Sequence, residues 1–155
     1  MLVGDIALEP LSEETLEFVR QVRSNPEVYK WLRESKPVTT EEQKVWFSEY
    51  LEQSECRVYV GSLPGWFFGY SQIRLHANTH RAEIGVCIAP YSQGKGLGEK
   101  LLRATISEAW RLGLNELWAY IFSDNVQSMK LFEKCGFVSG EMLVEPQCLT
   151  LERED

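Results

Sequence analysis

No apolar run in this chain is long enough to cross a bilayer, and the N-terminal MLVGDIALEPLSEE is acidic with no apolar core of signal-peptide length. A cytoplasmic protein with no membrane partner is the expectation. Basic residues are few. Sixteen Lys and Arg against 23 Asp and Glu leave a net charge of −7, without the basic face that nucleic-acid binding requires. That balance suits a cationic amine better, although global charge says little about one pocket. The four cysteines, Cys56, Cys87, Cys135 and Cys148, show neither metal-ligand pairing nor tight disulfide spacing. Reduced thiols and no metal are expected. Repeats, low-complexity tracts and linkers are also missing, so 155 residues read as one domain, 1–155, large enough for a real core.

What the chain does have is concentrated at 83–110, EIGVCIAPYSQGKGLGEKLLRATISEAW. Ile84, Val86 and Ile88 belong to an apolar strand that stops at Pro90, where a ladder hydrogen bond would be lost. Leu101, Leu102, Thr105, Ile106 and Ala109 recur at the spacing of an amphipathic helix. Between them lie Gln93, Gly94, Lys95, Gly96, Leu97 and Gly98. Strand, glycine-rich turn and helix in that order form an anion site, because the first helical N–H groups lack internal partners and the helix dipole is positive there. A nucleotide-triphosphate loop needs Ser or Thr after the lysine, but Gly96 follows Lys95. The dinucleotide fingerprint needs a third glycine where Glu99 stands, and a carboxylate there would oppose a pyrophosphate.

The remaining pattern, Gln/Arg-x-x-Gly-x-Gly/Ala, fits residues 93–98. On it the chain resembles the GNAT superfamily of acetyl-CoA-dependent N-acetyltransferases, whose loop of this form binds the CoA pyrophosphate. A second segment, Asn125-Val126-Gln127-Ser128-Met129-Lys130-Leu131-Phe132-Glu133-Lys134-Cys135-Gly136-Phe137, resembles that family's cofactor-side helix and its turn into a strand. Arg23-Ser24-Asn25-Pro26-Glu27-Val28-Tyr29 is similar to a segment in subgroups acting on ribosomal-protein alanine termini and amino-sugar nucleotides. The first two segments occur in the family's order and at its distance, and together they cover about the C-terminal half.

In chain order, a short edge strand is expected at 1–8, followed by a helix capped by Ser12 with Glu13 and Glu14 in its first turn. Asn25-Pro26 interrupts it, and a short turn follows at 27–32. Thr39 and Glu42 have capping-box spacing, with Val45, Trp46 and Tyr50 expected on the inner side of their helix. Strands at 57–61 and 66–76 lead to the central strand, then a strand at 116–122, a helix opened by Asp124 or Asn125, and strands near 138–144 and 147–151. This order implies an α/β (mixed α+β) GNAT fold, a central mixed twisted sheet of about six to seven strands with helices on both faces.

Acetyl transfer to an amine sets the expected roles. Backbone N–H groups of residues 94–98 anchor the pyrophosphate, with Gln93 or Lys95 adding side-chain contacts. An open strand edge at Val86, Cys87 and Ile88 pairs with the pantetheine arm, and the N–H of Cys87 or Ile88 polarises the thioester carbonyl. The resemblance implies a splay between this strand and 118–121, and cofactor contacts from Asn125 and Ser128. Glu83 is the candidate base, since an aliphatic ammonium must lose its proton; the alternative is pairing with Arg74 or Arg81. Many family members donate the thiolate's proton from a Tyr at the place of Phe132, so here either the thiolate leaves unaided or Tyr120 or a water substitutes. Cys87 reads as a buried, inert thiol. Arg23, Asn25, Tyr29, Trp31 and His76 are the candidate acceptor contacts, the acceptor being a small-molecule or N-terminal amine. A monomer or homodimer is expected. The competing readings are a CoA-binding regulatory module without catalysis and an unrelated nucleotide-phosphate binder.

Overall fold

A computed structural model describes residues 6–140 and 145–154. Seven strands form one sheet in the order β1-β2-β3-β4-β5-β7-β6. They are β1 (Ala7–Pro10), β2 (Cys56–Leu63), β3 (Trp66–Leu75), β4 (Arg81–Ile88), β5 (Glu116–Ile121), β6 (Val138–Ser139) and β7 (Gln147–Glu152). The helices are α1 (Leu16–Arg23), α2 (Pro26–Tyr29), α3 (Thr40–Leu51), α4 (Leu97–Arg111) and α5 (Val126–Lys134). All pairings are antiparallel except β4 with β5. The mixed sheet and flanking helices match the expected architecture. The parts of the expected edge strand at 1–5 and of the 138–144 strand at 141–144 lie outside the described residues.

The sheet's two faces carry separate apolar layers, as alternation along strands requires. Tyr59, Ile73, Ala82 and Ile84 pack on one side with Leu102 and Ile106 of α4 and Phe132 of α5. Val58, Val60 and Tyr70 pack on the other with Val19 and Val22 of α1 and Val28 of α2. Helix α4 is tied to β3 by a polar contact: the fully buried Thr105 hydroxyl donates to the Leu101 carbonyl and meets the Ser71 hydroxyl, each at 2.7 Å. Thr105→Val would strand the Ser71 hydroxyl and is expected to lower stability by about 1–3 kcal/mol in denaturant titration. Adding Ser71→Ala should recover most of that loss; a double variant as unstable as the single one would contradict this.

Two local expectations are corrected. Ser12 does not cap α1: its main-chain N–H donates to the Thr15 hydroxyl, which closes a turn, and the helix begins at Leu16. The capping box of Thr39 and Glu42 is present, but α3 turns Gln43, Phe47 and Tyr50 inward. Hydrogen bonding sets that rotation, because Gln43 Nε2 donates to the Leu16 carbonyl (2.9 Å) and the Val58 N–H donates to the Tyr50 hydroxyl (2.9 Å). Val45 and Trp46 are exposed instead.

The parallel pair positions the site. Residues Arg81, Ala82 and Glu83 of β4 face Glu116, Leu117 and Trp118 of β5, and there the pairing ends although both strands continue. Ile84, Gly85, Val86, Cys87 and Ile88 therefore diverge from Ala119, Tyr120 and Ile121, and the sheet opens as a wedge.

Candidate active site

A cleft of about 930 Å³ runs through that wedge. One end is the loop between β4 and α4. Gly94 and Gly96 both have φ near +77°, a backbone conformation that favours glycine, and a Cβ at either would meet nothing within 4 Å. Among the described residues, no carbonyl or side chain accepts from the N–H groups of Gly94, Lys95, Gly96, Leu97, Gly98 or Glu99; the first main-chain bond in this region is Lys100 N–H to the Gly96 carbonyl. These are the unpartnered donors of a helix start, and Gly94, Gly96, Gly98 and Glu99 among them border the cleft. Gly98 serves packing, since its Cβ position lies 3.4 Å from Leu131 of α5 and 3.7 Å from Ile88.

Ladder phase decides which β4 amides face the gap. Ala89 N–H donates to Phe68 of β3, and the Arg81 carbonyl accepts from His76, so odd-numbered β4 residues aim their main-chain groups at β3. Of the two candidate oxyanion donors, Cys87 therefore has its N–H in the β3 ladder, while that of Ile88 is turned toward the wedge, as is that of Val86. Gln93 Nε2 donates to the Ile88 carbonyl at 3.2 Å, which latches the loop to the end of β4. Burial raises the pKa of both the Cys87 thiol and the Tyr70 hydroxyl, which lie against each other. Such a thiol stays protonated and is a poor nucleophile.

Asn125 Oδ1 accepts from the Ser128 N–H at 3.4 Å, capping α5, and both residues border the cleft. Phe132 also borders it, buried edge-on against Phe137 (centroids 5.1 Å apart), and offers no proton. Glu83 stands where the wedge begins. Directly across the ladder lies Arg74, yet Glu83 makes no ion pair among the described residues; Arg81 is instead bound to Glu116 at 3.2 Å. Tyr120 is half-exposed on β5, on the same sheet face as Trp118, with the Arg33 guanidinium 4.4 Å above its ring.

The structure thus gathers Glu83, Tyr120, Val86, Cys87, Ile88, Gln93, Gly94, Gly96, Gly98, Asn125, Ser128, Arg23 and Trp31 around one cavity. Five expected members stand outside its walls. Lys95 lies over the Trp66 ring (5.7 Å), drawn to the β2–β3 hairpin by a cation–π contact. Leu97 has no solvent exposure and packs with Phe68 and Leu101. Asn25 caps α2, accepting from Glu27 N–H at 2.9 Å. Tyr29 ends that helix, which buries the preceding Val28 instead. His76 sits beyond β3, its ring 6.0 Å from Trp118. Sequence reasoning missed Arg33, Glu34 and Gln72 as wall residues, and considered Arg74 only as a partner for Glu83. The loop carrying Arg33 and Glu34 has no motif to flag it.

A mixed sheet whose parallel pair opens beside a loop of bare amides is the architecture of an acetyltransferase. Residues 5–138 match the family described as Acetyltransferase (GNAT) domain, and the chain belongs to that family. It is similar to the putative phosphinothricin acetyltransferase YwnH of Bacillus subtilis (strain 168), 35% identical over 107 residues, which are 67% of this chain and 66% of that one. It is also similar to spermidine N(1)-acetyltransferase of Escherichia coli (strain K12), 28% identical over 90% of this chain and 77% of that one. The crystal structure of spermidine N-acetyltransferase from Vibrio cholerae in complex with CoA and spermine superposes with a TM-score of 0.89 over 97% of this chain and 96% of that one. At 20% identity that likeness speaks for the fold.

Proposed function

We propose that this chain moves the acetyl group of acetyl-CoA to the primary amine of a small molecule, by direct attack while both substrates are bound. The observation that carries the reading is the end of the β4–β5 ladder at Glu83 and Trp118, with a row of unpartnered N–H groups at the far end of the same gap. Main-chain amides of residues 94–98 bind the diphosphate, and Asn125 and Ser128 border its path along α5. The open edge of β4 at Val86 and Ile88 pairs with the amide-rich arm as an added strand would. The Ile88 N–H stabilises the oxyanion of the tetrahedral intermediate.

Glu83 takes the proton from the incoming ammonium, directly or through one water, and the neutral amine attacks the carbonyl. Tyr120 returns a proton to the departing thiolate, since Phe132 offers none. Tyr120→Phe is expected to lower kcat by about 10-fold, less than the general-acid range of about 10²–10⁴ because a thiolate leaves more readily than an alkoxide. An unchanged kcat would assign that proton to solvent. A single domain acting as a monomer or homodimer in the cytoplasm completes the proposal. The single-domain part is supported by one continuous sheet. The test is release of the CoA thiol from acetyl-CoA across an amine panel. Release that depends on the amine supports transfer, while tight CoA binding with no turnover of any amine would leave a binding module.

A further inference from the structure

The chain as a whole is acidic, but the acceptor half of its cleft is not. Four cations, Arg23, Lys30, Arg33 and Arg74, line that half against three anions, Glu27, Glu34 and Glu83. Two of those pairs neutralise each other: Lys30 with Glu27 at 3.0 Å and Arg23 with Glu34 at 3.6 Å. Arg33, Arg74 and Glu83 are left, and none makes an ion pair or a side-chain hydrogen bond among the described residues.

Placement gives those charges a use. The Arg33 guanidinium carbon lies 4.4 Å from the centroid of the Tyr120 ring, and its N–H groups have no partner among the described residues. Arg74 stands opposite Glu83 in the ladder, so a cation and an anion flank the same point of the wedge. A planar guanidinium with free donors matches a carboxylate or a similar oxyanion in two-point geometry. A polyamine, by contrast, would have to set its further ammonium groups beside two unneutralised guanidiniums, with Glu83 and, just before α5, Asp124 as the unpaired carboxylates of the cleft.

We propose that the acceptor is an amine bearing an acid group close by, an α-amino acid or an analogue of one, rather than a polyamine. Its amine meets Glu83 and its acid group is held by Arg33 and Arg74. The inference rests on the acetyl-transfer reading and names the substrate class for the same site.

The experiment measures CoA thiol release by the full chain with saturating acetyl-CoA. The acceptors are L-amino acids, their amides and spermidine. The expected result is a kcat/KM at least about 10-fold higher for an acid than for its own amide, with spermidine the poorest, in line with the loss when a charged recognition pair is left incomplete. Arg33→Gln and Arg74→Gln should each collapse the acid-to-amide ratio toward one, chiefly through KM for the acid. They should leave acetyl-CoA affinity as it was. Faster turnover of spermidine than of any acid, or a ratio that survives both substitutions, overturns this inference while transfer itself stands. Acetyl-CoA binding with no thiol release from any acceptor overturns both.

Discussion

Gly96→Asp is expected to weaken acetyl-CoA binding by at least roughly 100-fold. Gly96 is the N-cap of α4, with φ +77° and nothing within 4 Å of its Cβ position, so an added side chain would project into open space at the mouth of the loop. A carboxylate there faces the diphosphate that the neighbouring amides are proposed to bind. Like charges about 4–5 Å apart near a protein surface repel by about 3–4 kcal/mol, and the effect should shrink as salt rises. Gly96→Asn separates charge from strain, because asparagine tolerates the left-handed region and carries no charge. It is expected to keep most of the affinity. Titration calorimetry with CoA checks both variants, and equal binding by the Asp variant and the unaltered protein would remove the diphosphate from this loop.

The second large effect is expected at Glu83. Glu83→Gln should lower kcat by about 100-fold near neutral pH while CoA affinity stays constant, since loss of a positioned base costs about 10²–10⁴-fold. The pH profile carries the sharper information. Without the base, the rate follows the fraction of amine already neutral in solution, which climbs about 10-fold per pH unit below the amine pKa. The deficit should therefore close as pH rises. A variant with full activity at pH 7 would make Glu83 a structural residue of the ladder, opposite Arg74.

Much of this was legible in the sequence where local rules act. The loop at 93–98, the Thr39 capping box, the Asn25-Pro26 break and the Asn125 cap are short-range chemistry, and each stands where it was expected. The C-terminal limit of the central strand was also readable, because Pro90 stops β4. What escaped was decided at long range. The rotation of α3 depends on Gln43 reaching a carbonyl in α1 and on Tyr50 reaching β2, partners that no periodicity announces. Lys95 sits in the right motif, yet its side chain is drawn to Trp66 in a different hairpin. His76 flanks β4 in sequence, but it lies level with Arg81, where β4 and β5 are still paired, and not in the wedge that opens after Glu83. The charge of the acceptor pocket was equally hidden. A net charge of −7 pointed toward cationic acceptors, whereas Arg33 and Arg74 come to line one cleft only once the loop after α2 folds against Tyr120 of β5.

Backbone amide NMR of uniformly labelled protein, titrated with CoA and then with pantetheine alone, addresses the central claim most directly. CoA should move the amide signals of Gly94, Lys95, Gly96, Leu97 and Gly98 together with those of Val86 and Ile88. Pantetheine, which lacks the diphosphate, should move only the β4 pair. Loop signals that stay fixed under saturating CoA, with shifts appearing at some other surface, would contradict the account at its root.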